Sequence, residues 1–255
     1  MEQANRIVHG LWIGGRLSKL ELLTIYSFID HGHEFHLWTY SDIQTPLPAA
    51  VIIRNAADVL PMSAVYRRTA PDLECGVGRG SFSPFSDLFR YKLLYQTGGY
   101  WVDMDITCLK PLDFAEPYVF RSHRVGVVGN IVKCPPQSKL MNLTYERALQ
   151  AGCADWHFGN RALSTTVREL GLAAFIRDDI SNGDAWLREI HPLIKLDVPI
   201  PKQYYVLHWL NEFWRTICAD KGFYRGVRVV NSVPHKDWVD RGSALGKLYA
   251  KYGLK

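Results

Sequence analysis

Residues 86–113 read SDLFRYKLLYQTGGYWVDMDITCLKPLD. The stretch divides into a helix, a stop, a short strand and an acid pair. Ser83 can cap the helix, with Pro84 at its first position. The helix runs to about residue 97, where Gly98-Gly99 ends it. Residues 100–102 form a short aromatic strand, and Asp103 and Asp105 follow it one residue apart. A carboxylate pair at a strand end can hold a divalent cation, and a cation held there can carry the diphosphate of a nucleotide. Asp87 and Arg90 are three apart on the helix and share a face. A carboxylate and a guanidinium so placed can grip ribose or sugar hydroxyls. A surface ion pair at that spacing is the plainer reading and contributes little. The direct run from this helix through Gly-Gly into the acids favours function.

Working outward, residues 6–13 (RIVHGLWI) are apolar and β-prone, and Gly14-Gly15 ends them. Residues 17–30 place Leu20, Leu23, Ile25 and Phe28 on one helical side, with Ser18 as N-cap. Residues 33–39 alternate as a second strand, and 51–53 suggest a third. The opening is β-α-β, which predicts an α/β layer structure. Residues 58–82 are irregular. Strand-like runs lie within 118–132, and Pro135-Pro136 makes a turn. Helices are expected over 138–151 and 161–170, the second after a glycine loop at Gly159. Residues 190–201 read as extended between prolines, and 204–214 (YYVLHWLNEFW) as aromatic-rich. The tail, 243–255, is short, basic and amphipathic.

The chain of 255 residues suits one domain with a buried core. Its net charge of +5 comes from basic residues scattered without a block, which argues against a nucleic-acid tract. The five cysteines, Cys75, Cys108, Cys134, Cys153 and Cys218, lack CxxC spacing and suggest neither a zinc site nor a disulfide framework. No leader-like or membrane-spanning apolar run is present, so a cytoplasmic location is expected. The basic tail could rest on the inner face of a membrane.

The central stretch resembles the core motif of family 32 glycosyltransferases, which include yeast Golgi mannosyltransferases and bacterial capsule and lipopolysaccharide sugar transferases. More distantly it resembles the glucosylating domain of large clostridial toxins. HGLWIGG from His9, NIVKCPPQSKLM from Asn130 and HWLNEFW from His208 are similar to that group's outer motifs, in the same order. The resemblance implies a GT-A fold, with a nucleotide-sugar-binding half over about 1–115 and an acceptor half with the closing motif over about 116–255. It implies retaining transfer of a hexose from a UDP- or GDP-linked donor to a glycan or lipid-linked saccharide, with Mn²⁺ or Mg²⁺. Carried over residue by residue, Trp12 would stack on the base, and Asp87 and Arg90 would hold donor hydroxyls. Asp103 would meet ribose and metal, Asp105 would ligate the metal, and Asn130 would face the donor sugar. Trp214 would close over the diphosphate or fill core. A third metal ligand would come from His208, Asn211 or Glu212; imidazole suits Mn²⁺ and favours His208. Phe213 stands where many relatives carry Ser, and Asn160 where they carry Pro.

Two other functions fit parts of this pattern. YWVDMDITCL also resembles the first motif of haloacid-dehalogenase-type phosphatases. There Asp103 would be the nucleophile, Asp105 the acid, and Asp178-Asp179 the downstream metal acids. That motif usually opens its domain, whereas a β-α-β unit precedes it here. A toxin-like effector that glycosylates protein would keep the chemistry and change the acceptor. No catalytic base is identified by spacing; Asp155, Asp178, Asp179 and Asp184 are available.

Overall fold

A computed structural model describes residues 1, 3–68, 80–151, 158–212, 223–224, 227–228 and 235–254. After a helical turn, α1 (Gln3–Arg6), the apolar run becomes β1 (Ile7–Trp12), whose middle residues are buried. α2 (Lys19–Asp30) follows, and its start is a capping box. The Ser18 N–H donates to Glu21 at 2.6 Å and the Ser18 hydroxyl accepts from Leu20 N–H at 3.3 Å. β2 (Glu34–Thr39) pairs parallel with β1, and β3 (Ile52–Asn55) parallel with β2. The predicted β-α-β opening is therefore present.

α3 (Ser83–Thr97) leads into β4 (Gly99–Val102), which joins β1 in parallel. Ser83 is the first helical residue rather than the cap. Its N–H donates to the Ser81 hydroxyl at 3.1 Å, while Phe82 holds the cap position with no side-chain bond. Gly98 ends the helix at φ 63°, where a side chain is strained; a Cβ there would also stand 2.5 Å from the Pro136 nitrogen. β6 (Val119–His123) and β7 (Gly126–Cys134) form a hairpin beside β4, and β8 (Ile176–Arg177) closes the edge. The sheet order is β3-β2-β1-β4-β7-β6-β8, and β7 alone runs against the other strands. The protein is a mixed α/β structure around a seven-stranded, mostly parallel sheet.

β4 alternates sides as a strand must. Trp101 joins Phe85, Phe89, Phe120 and Leu163 in one core, while Tyr100 and Val102 join Phe28, Phe35 and Ile131 in the other. α4 (Lys139–Ala151) and α5 (Phe158–Glu169) pack with α3 over the first of these. α5 begins earlier than expected, so Gly159 lies inside its first turn and not in a loop. A separate antiparallel ladder joins β5 (Ile106–Cys108) to β9 (Val206–His208), with Ile106 opposite His208.

Two more expectations change. Residues 190–201 are not simply extended: a π turn, Trp186–Ile190, runs into α6 (His191–Lys195). Pro192 sits in its first turn, where a missing N–H costs nothing. The basic tail is α7 (Ala244–Lys251), capped by Ser243, and its apolar side is already used. Ala244, Leu245 and Tyr249 are buried in a third core with Leu20, Leu23 and Trp209. Lys247 and Lys251 pair with Asp197 and Asp30. The apolar face of the tail is therefore part of the protein core. Among the described residues no helix is long and apolar enough to cross a membrane. Just before the tail, Lys236 reaches back to the fully buried Glu21 and to Asn211 Oδ1 at 3.3 Å.

Candidate active site

The C-terminal ends of β1 and β4 open onto a cleft of about 1150 Å³, ample for a nucleotide-sized ligand. Trp12, Asp87, Arg90, Asp103, Asp105, Asn130, His208, Asn211 and Glu212, all singled out in the sequence, line it. Trp214, with its neighbour Phe213, lies outside the described residues.

One wall is a fixed ionic node. Arg90 Nη1 is 2.8 Å from Asp87 and Nη2 is 2.9 Å from Asp103 Oδ1, and the guanidinium lies over Trp101. Asp103 Oδ1 also accepts the Trp101 indole N–H at 2.8 Å, and the Asp103 N–H donates to Asn130 O at 3.0 Å. The pair at 87 and 90 is therefore buried and tied to the acid motif, unlike a solvated surface pair. Two glycines make room for it. A Cβ on Gly129 would meet Arg90 Nη1 at 1.9 Å, and one on Gly159 would meet Asp87 Oδ2 at 2.2 Å. Burial pushes the Asp87 carboxyl up to about 6 against the pull of Arg90. Burial opposes the Arg90 charge too, but Asp103 and Asp87 outweigh it and raise its pKa.

The opposite wall is built from the β5–β9 ladder. That register, extended by the Trp209 N–H to Asp105 O bond of 3.0 Å, brings His208 to Asp105. His208 Nε2 is 3.5 Å from Asp105 Oδ2, which accepts the Asn211 N–H at 2.7 Å. On its other side His208 Nδ1 is 3.5 Å from Asp184 Oδ1. Asp184 is held by Arg121 at 2.7 Å and by His123 at 2.8 Å. Burial favours a neutral His208, yet Asp105 and Asp184 dominate and push it up to about 9. Burial raises Asp105 as well, but His208 and the Asn211 amide leave it below the usual carboxylate range. Asp184 follows the same logic through His123, His208 and Arg121, and is held far below that range.

Beside Asp103 on β7, both side-chain amide atoms of Asn130 are buried without a hydrogen-bond partner among the described residues. Such orphans are costly unless a ligand meets them. Trp12 stands at the end of β1, its indole N–H bonded to Arg16 O at 2.9 Å. The Lys236 ammonium is 5.8 Å from its ring.

Among the described residues no three His, Cys, Asp or Glu side chains are grouped closely enough to hold a metal ion as they stand. The donors present are nevertheless of a kind that fits a divalent cation sharing its shell with phosphate: two carboxylates and one imidazole. Asp103 Oδ2 receives no hydrogen bond among the described residues, since Arg90 and Trp101 both use Oδ1.

Arg121, His123 and Asp184 join the site unannounced by any motif; only Asp184 was a candidate in the sequence, as one of several unplaced acids. Asp178 and Asp179 do not reach it. They line a separate shallow groove, where Asp179 pairs with Arg177. The phosphatase reading therefore loses its downstream metal acids.

Residues 71–121 match a family described as the glycosyltransferase sugar-binding region containing the DXD motif. The stretch carrying Asp87, Arg90, Asp103 and Asp105 falls inside that match. No curated protein matches the chain significantly. Among solved structures, PaToxG glycosyltransferase is similar at 13% identity and a TM-score of 0.47, over 65% of this chain and 68% of that one. A structure described as a transferase is similar at 10% identity and a TM-score of 0.44, over 69% and 87%. A cysteine-to-serine mutant, also described as a transferase, gives 12% and 0.43, over 68% and 86%.

Proposed function

We propose that this protein is a GT-A-type glycosyltransferase that moves a hexose, with retention, from a UDP- or GDP-linked donor to a glycan or lipid-linked saccharide. The observation that carries the reading is one cleft bounded by the Asp87–Arg90–Asp103 node and the Asp105–His208 pair. Residues up to about 115 supply most of the donor half, and the remainder the acceptor half.

In this reading Trp12 stacks on the base. Arg90 holds Asp87 and Asp103 in place, so their remaining oxygens accept donor hydroxyls. The Asn130 amide, orphaned and buried, hydrogen-bonds the donor sugar. Asp103, Asp105 and His208 hold a Mn²⁺ or Mg²⁺ ion. Asn211 is a weaker third ligand than His208, because its N–H is committed to Asp105 and its Oδ1 to Lys236. When bound, the ion supplies the positive charge that the departing diphosphate requires. A phosphatase nucleophile at Asp103 is disfavoured, since Asp178 and Asp179, which would supply its downstream metal acids, line a separate groove.

The test is a panel of nucleotide-sugars assayed for hydrolysis with and without Mn²⁺. Turnover of one donor that requires the ion is expected. Asp105→Ala should abolish it while circular dichroism shows the fold retained. Undiminished turnover in that variant would sink the reading, as would release of phosphate from simple monoesters without donor turnover.

A further inference from the structure

We infer that Asp184 is a positioning residue. It holds His208 through Nδ1 and thereby aims Nε2 at the cation shared with Asp105. The inference rests on the metal-dependent reading above.

The geometry comes from one short loop. Ser181 bridges in parallel to Val206, and Asn182 clamps the His208 backbone from both ends. Its Oδ1 accepts the His208 N–H at 2.7 Å and its Nδ2 donates to His208 O at 3.1 Å. Two residues on, Asp184 Oδ1 stands 3.5 Å from the Nδ1 of the same ring. That nitrogen is buried and makes no closer hydrogen bond among the described residues. The far nitrogen, Nε2, lies 3.5 Å from Asp105 Oδ2. Backbone and ring of one histidine are thus governed by residues 181–184.

Asp184 is itself anchored. The buried Arg121 donates both to Asn182 O at 2.6 Å and to Asp184 Oδ1 at 2.7 Å, and His123 sits 2.8 Å from Oδ2. A carboxylate so engaged is a poor general base, because its basicity is spent on its neighbours. It is well suited to a second task. Imidazole can ligate a cation through Nε2 only when the ring proton is on Nδ1, and a fixed acceptor opposite Nδ1 selects that tautomer.

The test reads metal binding directly. Mn²⁺ affinity of the purified protein is followed by electron paramagnetic resonance, without donor or turnover. Asp184→Ala should weaken it by about 10–100-fold, and Asp184→Asn by less, since its amide oxygen can still accept from Nδ1–H. With Co²⁺ in place of Mn²⁺, the visible spectrum of the alanine variant should shift as nitrogen ligation loosens. Asp184→Ala alone strands the buried Arg121, so Arg121→Met/Asp184→Ala must show the same loss. ¹⁵N-histidine spectra of the unaltered protein with Mg²⁺ should place the His208 proton on Nδ1. If the unaltered protein binds Mn²⁺ and the folded double variant binds it equally, the role of Asp184 is overturned while the metal reading stands. A His208 proton found on Nε2 with Mg²⁺ bound overturns that role equally, without any variant. No Mn²⁺ binding by the unaltered protein overturns both.

Discussion

The Arg90 node and the His208 cluster face each other across one cleft, and they are built in opposite ways. In the node, contacts are short, 2.8–2.9 Å, and two glycines are cut away to admit the side chains. In the cluster, His208 stands 3.5 Å from each of two carboxylates and bonds neither closely. In the node Arg90 already stands at both carboxylates, while its Nε and Nη1 make no well-formed hydrogen bond among the described residues. The cluster's spacing leaves room, and its buried ring nitrogen makes no close hydrogen bond among the described residues. A rigid wall beside an open one suits a site that must hold one part of its ligand in fixed geometry and gather the rest around an ion. Disturbing the node should therefore injure the fold, and disturbing the cluster should injure ligand binding.

The largest separation is expected from Arg90→Met, which leaves Asp87 buried without its counter-charge and should cost about 3–5 kcal/mol in urea unfolding. Asp105→Asn, on the open side, should cost no more than about 1–2 kcal/mol. If the two variants lose equal stability, the contrast fails. Gly159→Ala comes next. In most helices that exchange stabilises slightly, but here the new methyl meets Asp87 Oδ2 at 2.2 Å. Overpacking should destabilise by about 1–3 kcal/mol, again without touching the cluster. A neutral or stabilising result would show that Asp87 can move aside.

A dependence on pH sets the window for these measurements. Burial holds His9 neutral, its pKa lowered to about 3, and likewise His33, lowered to about 4. Both are depressed below the unfolded value, so the unfolded chain binds more protons as pH falls below about 6.5. Their stabilising contribution is full above that pH and is lost as pH falls toward the folded values, at up to about 1.4 kcal/mol per pH unit for each ring. Thermal melts from pH 7 to 4 should show this slope, and His9→Gln should flatten it. An unchanged slope would assign acid sensitivity elsewhere.

The node was legible in the sequence because its parts are local. Asp87, Arg90, Gly98, Gly99 and Asp103 lie within one helix-to-strand unit, where periodicity and glycine punctuation carry the information. What made the node rigid was not legible. Gly129 and Gly159 matter for the space they leave to residues far along the chain, and glycine at ordinary φ looks like any other. The cluster was half legible: HWLNEFW indicated His208, but pairing with Asp105 depends on a ladder between β5 and β9, separated by about a hundred residues. Asp184 and Arg121 had no motif at all, since each acts through a contact made only after folding. Residues 190–201 read as extended because Pro192 suggests a break, whereas it starts α6.

The contact between Glu21 and Lys236 has a consequence for the order of events in synthesis. Glu21 belongs to the cap that starts α2, an element made early, yet its countercharge is 215 positions away. A ribosome-bound chain can assemble β1, β2 and β4 long before Lys236 emerges. Until then, burying Glu21 means burying an unmatched carboxylate, so the end of α2 nearest the cleft should stay loosely docked. A segment made 215 residues later then secures α2, and with it Asn211 beside the acid pair. A nascent chain halted short of Lys236 would carry the whole acid motif and still lack a finished cleft.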